Sequence, residues 1–325
     1  MPKISIVILN YNGTGVILPC LRSILALAWT EVEILVVDNA SSDESDNQIA
    51  EEFGDRVRII RRAINSPTAG RNEGFQEARG EYVLSLDNDI LLVDPMVLHK
   101  AVAILDRFPK VGALSFKIGG LDTPNEPLIE HWWHPVDLQV GKDRFFFTDW
   151  FAEGAVFFRR SALSATQGYD EDLFHGYESV DLALRILEHS FEILYCPNLR
   201  CAELRIRGLH HVFRRRMNYL FLRNKLWTAW KDYPLGRGLY FALTRSGTAA
   251  IRALRYGWLD LWFQAMVEGI AAPNAIRKKR RPVTSQTWKR IRRIRKGQFC
   301  PEATCISSAH LTVLPTTVPA PAGKH

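Results

Sequence analysis

Four short runs of Ile, Val and Leu dominate the start of the chain: Ile4 to Leu9, Glu33 to Val37, Val57 to Ile60 and Tyr82 to Leu86. Each is strand-length and rich in apolar or β-branched residues, and helical patterns separate most of them. That alternation predicts an α/β domain with a mostly parallel, doubly wound sheet. Polar segments follow three of the runs: Asn10-Tyr11-Asn12-Gly13, Asp38-Asn39-Ala40-Ser41-Ser42-Asp43 and Asp87-Asn88-Asp89. Open α/β sheets bind ligands at the carboxyl ends of their strands, so these loops are expected to converge on one cleft.

The later chain reads less regularly. A helix is expected from Met96 to Phe108, a strand from Val111 to Ile118 and a buried strand from Asp149 to Phe158. A helix over Val180 to His189 would have Ser179 as its N-cap. His131-Trp132-Trp133-His134 is an aromatic cluster that suits either the core or a sugar-binding wall. Beyond Pro234 the pattern is helical and basic, with Arg245, Arg252 and Arg255 on one face. The Thr/Pro/Ala-rich tail from about Pro301 reads as disordered. The expected divisions are residues 1–235, a basic helical extension at 236–297 and a tail at 298–325.

Charge sharpens this division. The net charge of +7 conceals 17 Lys and Arg against 30 Asp and Glu from Met1 to Leu199, then 24 against 4 from Arg200 to Gly297. The acidic part suits a divalent cation, and the basic part a polyanion. No RNA or DNA recognition motif accompanies the basic runs, so a nucleic-acid partner is not expected. An anionic membrane surface fits the arginine face better, with a homo-oligomeric contact as the plain alternative. Cys20, Cys196, Cys201, Cys300 and Cys305 lack paired spacing, which argues against a disulfide framework or structural zinc and fits a reducing cytosol. A strand pattern begins almost at once, and no uncharged apolar run reaches about 18 residues, so a signal peptide or spanning helix is not expected. The expected location is cytoplasmic, with peripheral attachment to the inner face of the membrane.

Asp87 and Asp89 lie one residue apart just after a buried strand, where both can face a cleft and hold a hard cation against a diphosphate. An Asx turn closing the strand would use the same residues. The surrounding segments decide between these readings. Ile6 to Asn12, Val36 to Asp43, Gly70-Arg71-Asn72-Glu73-Gly74, Ala78-Arg79-Gly80-Glu81-Tyr82 and Leu86 to Asp89 resemble, in order and spacing, the motifs of glycosyltransferase family 2.

The resemblance covers residues 1 to about 235 and implies a GT-A fold, an inverting transfer and a Mn²⁺ or Mg²⁺ cofactor. It implies that Asp38 contacts a uracil or thymine base, within a nucleotide-sugar surface that also includes Asn10, Tyr11, Asn12, Asn39, Arg71, Asp87 and Asn88. Asp89 would be the metal ligand, joined by His210 or His211. Arg214, Arg215 and Arg216 would balance the departing diphosphate or rim an anionic acceptor site. Trp150 and Glu153, with Tyr177, would lie on the acceptor side. The stretch Tyr219 to Trp227 resembles the Arg-Asn helix of rhamnosyltransferase-like members.

One departure stands out. Family members usually carry Glu-Asp where this chain has Glu178-Ser179, and the second acid is their general base. A serine hydroxyl cannot take the acceptor proton at neutral pH without an activator. Either Glu178 acts instead, or the acceptor needs no strong base, or catalysis has been lost. Asp181 follows in the same helix, where the helix dipole gives a carboxylate a structural role. The expected protein moves a sugar from a UDP- or dTDP-sugar to an acceptor hydroxyl. The alternatives are a sugar-nucleotide-binding pseudoenzyme and a nucleotidyltransferase, the latter disfavoured because Asn10 to Gly15 lacks a basic phosphate-loop residue.

Overall fold

A computed structural model describes residues 3–204 and 215–297, with the backbone alone over residues 210–214. The apolar runs form β1 (Ile4–Asn10), β2 (Val32–Asp38), β3 (Arg58–Arg61) and β4 (Tyr82–Asp87). Helices α1 (Ile17–Leu25), α2 (Ser45–Phe53) and α3 (Pro67–Glu77) cross between them, and the four strands pair in parallel in the order β3-β2-β1-β4. The register sets Asn10 beside Asp38 and Leu9 beside Asp87, so the polar loops leave the sheet along one edge. The strand interiors are almost wholly buried because helices cover both faces of a parallel sheet.

Past β4 the sheet becomes mixed. β5 (Ile90–Leu92) and α4 (Val97–Arg107) lead to β6 (Val111–Gly120) and β7 (Thr123–Pro127). The short α5 (Leu138–Gly141) and β8 (Phe146–Thr148) precede β9 (Ala155–Arg159), followed by α6 (Arg160–Thr166), α7 (Glu178–Glu188) and β10 (Glu192–Glu203). The full order is β3-β2-β1-β4-β9-β6-β10-β5, with β9 antiparallel to both β4 and β6. The strand expected over Asp149 to Phe158 therefore starts only at Ala155. Residues 149–154 instead form a loop whose end is pinned by the Asp87 N–H donating to the Gly154 carbonyl at 3.0 Å.

Helices α8 (His210–Asp232), α9 (Leu235–Tyr256) and α10 (Leu259–Ile270) pack on one another, and α11 (Asn274–Lys278) and α12 (Ser285–Arg295) complete the described chain. The basic extension does not simply trail away. Trp288, Ile291 and Ile294 of α12 are buried in the same apolar core as the sheet, and Arg295 bridges Asp149 at 2.5 Å. No described helix is long and apolar enough to cross a membrane. Cys20, Cys196 and Cys201 are buried free thiols, while Cys300, Cys305 and the tail lie outside the described residues.

Candidate active site

The loops after β1, β2 and β4 are tied together by Asn10. Its buried amide donates to Asp38 Oδ1 at 3.1 Å and Ser45 Oγ at 2.8 Å, and its own oxygen accepts from Asn88 at 2.9 Å. Gly13 closes over this junction, where an added Cβ would stand 2.1 Å from Asn10 Oδ1 and 2.5 Å from Asn88 Nδ2. Asn12, in the left-handed region at φ 50°, accepts from the Ser42 N–H at 2.8 Å and donates its own N–H to Ser41 Oγ at 3.0 Å. Asn39 is wholly buried, accepting from Arg62 and Ser66 and donating to Asn65. Asn10 and Asn39 are thus framework, with their amides consumed by protein. Tyr11 is the exposed aromatic of the rim, and Asp38 lies buried behind it.

Arg71 of α3 enters from below the sheet. One guanidinium nitrogen donates to Ser85 Oγ at 3.0 Å and another ion-pairs with Asp87. Burial opposes its charge, yet the Asp87 carboxylate holds it firmly protonated.

Asp89 has a different setting. Burial, then the charges of Asp87 and Glu203, push its carboxyl up to about 7. Glu203 ends β10, where antiparallel pairing sets it opposite Ile90, and it meets His131 Nε2 at 3.0 Å. Burial disfavours the His131 cation, but the contact with Glu203 raises it above the ordinary imidazole value. This patch carries more negative charge than it can ionise unaided, and its carboxylate oxygens suit a hard divalent ion. Among the described residues, however, no three His, Cys, Asp or Glu groups stand together in a metal-holding cluster. The side chains of His210, His211 and Arg214 lie outside the described residues. Arg215 is paired with Asp260 at 3.0 Å, and Arg216 sits over the Phe174 ring.

The second acidic feature is a buried pair. Glu153, from the loop before β9, hydrogen-bonds side chain to side chain with Glu178 at the start of α7. Burial and then the Glu178 charge push Glu153 well up. Burial also raises Glu178, but the hydrogen bond from Glu153 works against that rise. Both carboxyls are raised, Glu153 the further, so Glu153 is the member of the pair that holds a proton more readily. His175 Nδ1 lies 3.3 Å from Glu178 Oε1, while Oε2 of Glu178 has no protein partner among the described residues.

Glu178 is held out by a strained turn. Phe174, Gly176 and Tyr177 have φ of 60°, 85° and 77°. Asn224 of α8 clamps the turn by donating to the carbonyls of Leu173 at 2.8 Å and Gly176 at 2.5 Å. α7 consequently begins at Glu178 with Tyr177 as its N-cap, not at Val180 with Ser179. The Ser179 hydroxyl accepts from the Trp150 indole at 3.1 Å and caps nothing. Asp181 is spent elsewhere: it accepts from Lys231 at 2.6 Å and from Nε and Nη2 of Arg185, which makes it a structural acid and not a base.

The aromatic quartet divides between two roles. Trp132 and His134 pack with Phe146 and Tyr195 in the core, and burial pushes the His134 imidazole down to about 3, so it is neutral. His131 faces Glu203, and Trp133, largely exposed, stacks on Trp150 at 5.8 Å.

Residues 5–166 match the model of glycosyl transferase family 2. The putative glycosyltransferase EpsE of Bacillus subtilis is 26% identical over 223 residues, 66% of this chain and 76% of that protein. Further bacterial glycosyltransferases are 31–33% identical over stretches covering only 26–35% of their own length, so the chain spans about a third or less of those relatives. Among solved structures, TarS 1-349 of S. aureus in complex with UDP-GlcNAc superposes with a TM-score of 0.60 at 18% identity, covering 90% of this chain and 87% of that one. Mannosyltransferase PcManGT of Pyrobaculum calidifontis in complex with GDP-Man and Mn²⁺ gives 0.56 at 19%, covering 91% and 85%. Those likenesses identify the fold as GT-A, and the family match shows that the chain belongs to glycosyltransferase family 2.

Proposed function

We propose that the protein transfers a sugar from a nucleoside diphosphate to an acceptor hydroxyl with inversion, using Glu178 as the base. The observation that carries this reading is the buried Glu153–Glu178 pair close to Arg71 and Asp87. In this reading Asp38 and Tyr11 receive the base, and the Arg71–Asp87 ion pair orients the ribose or sugar. The acceptor oxygen attacks the anomeric carbon from the face opposite the diphosphate. Its bond to carbon forms as the carbon–diphosphate bond breaks, and its proton passes to Glu178. Glu153, the more readily protonated of the two, keeps Glu178 anionic at lower pH than burial alone would allow. The missing acid at Ser179 is thus compensated one position earlier, and Asn224 fixes the turn that makes this possible.

Mn²⁺ or Mg²⁺ at Asp89, with Glu203 nearby, would neutralise the departing diphosphate. Complexes of neighbouring folds with UDP-GlcNAc and with GDP-Man and Mn²⁺ support a nucleotide-sugar donor and a divalent ion. Incubation with UDP-, dTDP- and GDP-sugars plus Mn²⁺ tests the reading through release of the nucleoside diphosphate. Tight donor binding without turnover would instead mark a pseudoenzyme, and nucleotide binding to no member of this panel would sink both.

The extension is proposed to dock on an anionic membrane surface. Leu239, Tyr240, Leu243, Ile251 and Leu254 of α9 form an exposed apolar face, continued by Leu259, Phe263, Val267 and Ile270 of α10. Arg255 lies nearest this α9 face, Arg245 and Arg252 turn to the Lys225 side of the helix, and the charge of +20 from Arg200 to Gly297 matches an anionic lipid surface. Self-association through the same face would appear as a stable dimer without lipid.

A further inference from the structure

Behind Glu178, away from the donor loops, lies an open cavity of about 490 Å³. Trp133, Trp150, Tyr177 and Phe241 supply its aromatic walls, and Lys225 and Arg245 its free cations. None of the loops after β1, β2 or β4 lines it. It lies against the start of the helix that carries the base, because Tyr177 caps that helix, Val180 lines the cavity and Trp150 donates to Ser179.

The charge balance of this cavity is unusual. Its one lining carboxylate, Asp149, is taken by Arg295 of α12 at 2.5 Å. Lys225 has no carboxylate partner among the described residues, and its ammonium rests 5.7 Å from the Tyr177 ring and 5.8 Å from the Phe221 ring. Arg245 likewise lies over the Phe241 ring at 5.3 Å without an acid. Burial, followed by the charges of Arg245 and Arg252, pulls Lys225 down to about 8. A half-buried ammonium held against two arginines loses free energy that an anion in the cavity would restore. Stacked indoles beside it offer the flat apolar face that a sugar ring packs against.

We propose that this cavity is an acceptor subsite for a phosphate ester, so that the sugar is added to a phosphorylated glycan or polyol and not to a neutral one. Lys225 and Arg245 hold the phosphate, while the Trp133–Trp150 stack holds the ring whose hydroxyl reaches Glu178. This inference rests on the reading above that Trp150 and Tyr177 face the acceptor. A lipid-linked phosphodiester and a soluble phosphorylated glycan share the required chemistry.

Calorimetric titration of the full chain, saturated with whichever of UDP or GDP it binds, tests the subsite. The probes are glucose, glucose 1-phosphate and the octyl phosphodiester of glucose. Glucose 1-phosphate is expected to bind at least about tenfold more tightly than glucose, a gap that Lys225→Gln with Arg245→Gln abolishes without weakening nucleotide binding. Rising NaCl should also weaken the phosphate probe and not glucose in the native protein, a check that needs no variant. Tighter binding of the octyl diester than of glucose 1-phosphate would assign a lipid-borne acceptor, and equal binding a soluble one. Equal affinity for glucose and its phosphate in the native protein, or a preference that survives the double variant, overturns the subsite. Failure of the native protein to bind any nucleotide would instead strike the donor reading.

Discussion

Two buried clusters of carboxylates lie on either side of α7, and they differ in how their charge is met. At the N-terminus of the helix, Glu153 and Glu178 meet with no Lys or Arg among the described residues in an ion pair with them. Further along, Asp181 and Asp170 are knitted to Lys231, Arg185 and Lys279, and Asp232, raised by burial and by the Asp181 charge, hydrogen-bonds to Asp181. Despite burial, the charges of Arg185 and Lys231 hold Asp181 well below the ordinary carboxylate range. The first cluster retains an unmet demand for a proton or ligand. The second has spent its charge on holding α7 to α8. A perturbed carboxylate therefore marks function here where its cations are too few, and architecture where they suffice.

Glu178→Gln should give the largest effect, lowering kcat for nucleoside-diphosphate release by about 10²–10⁴-fold while donor affinity holds. Full activity in this variant would remove Glu178 from the mechanism and erase the contrast. Lys231→Met should instead cost about 1.5–3 kcal/mol in denaturant unfolding, since it removes the buried ammonium that Asp170 and Asp181 share and leaves them only Lys279 and Arg185. Turnover per folded molecule should change little. A variant that keeps its stability but loses turnover would show that the second cluster is not merely architectural.

Outside the clusters, Leu243→Gln with Phe263→Gln should reduce cosedimentation with phosphatidylglycerol vesicles about tenfold, and phosphatidylcholine vesicles should bind weakly throughout. Unchanged binding would clear the α9–α10 face of that role.

The smallest expected effect is one of sign. Glu153, raised in the fold, contributes stability that is present below its unfolded pKa and lost as pH rises through the folded value. Asp181, depressed in the fold, contributes stability present above its unfolded pKa and lost as pH falls through the folded value. Glu153→Gln should thus flatten the alkaline side of a pH–stability profile, and Asp181→Asn the acid side. The acid limb of kcat should also lie above the ordinary carboxylate range of about 4.3, because Glu178 is raised and must be ionised to act. Profiles that superpose would mean that the two clusters titrate alike.

Much of the donor half was legible because its signals are local. An apolar run followed by Asn10, Asp38 or Asp87 places strand and loop together, and a parallel sheet brings such ends side by side. Glu203 carried no comparable signal. Its place beside Asp89 comes from antiparallel pairing of β10 with β5 across more than a hundred residues of chain. The turn before Glu178 was misread because a left-handed tyrosine is a poor prior for an N-cap, and only Asn224 from α8 makes it tenable. Ser179 looked like the cap because its hydroxyl suits one. Its actual partner, the Trp150 indole, lies 29 residues away in sequence.

The return of α12 to the sheet has a practical consequence for anyone recombining these proteins. A boundary at Pro234, natural from hydropathy and charge, would strip Trp288 and Ile291 from the core and leave Asp149 unbridged beside Trp150. Chimeras should therefore be joined after Gly297, and must carry Asp149 and Arg295 from the same parent, because the far helix supplies one wall of the cavity beside Trp150.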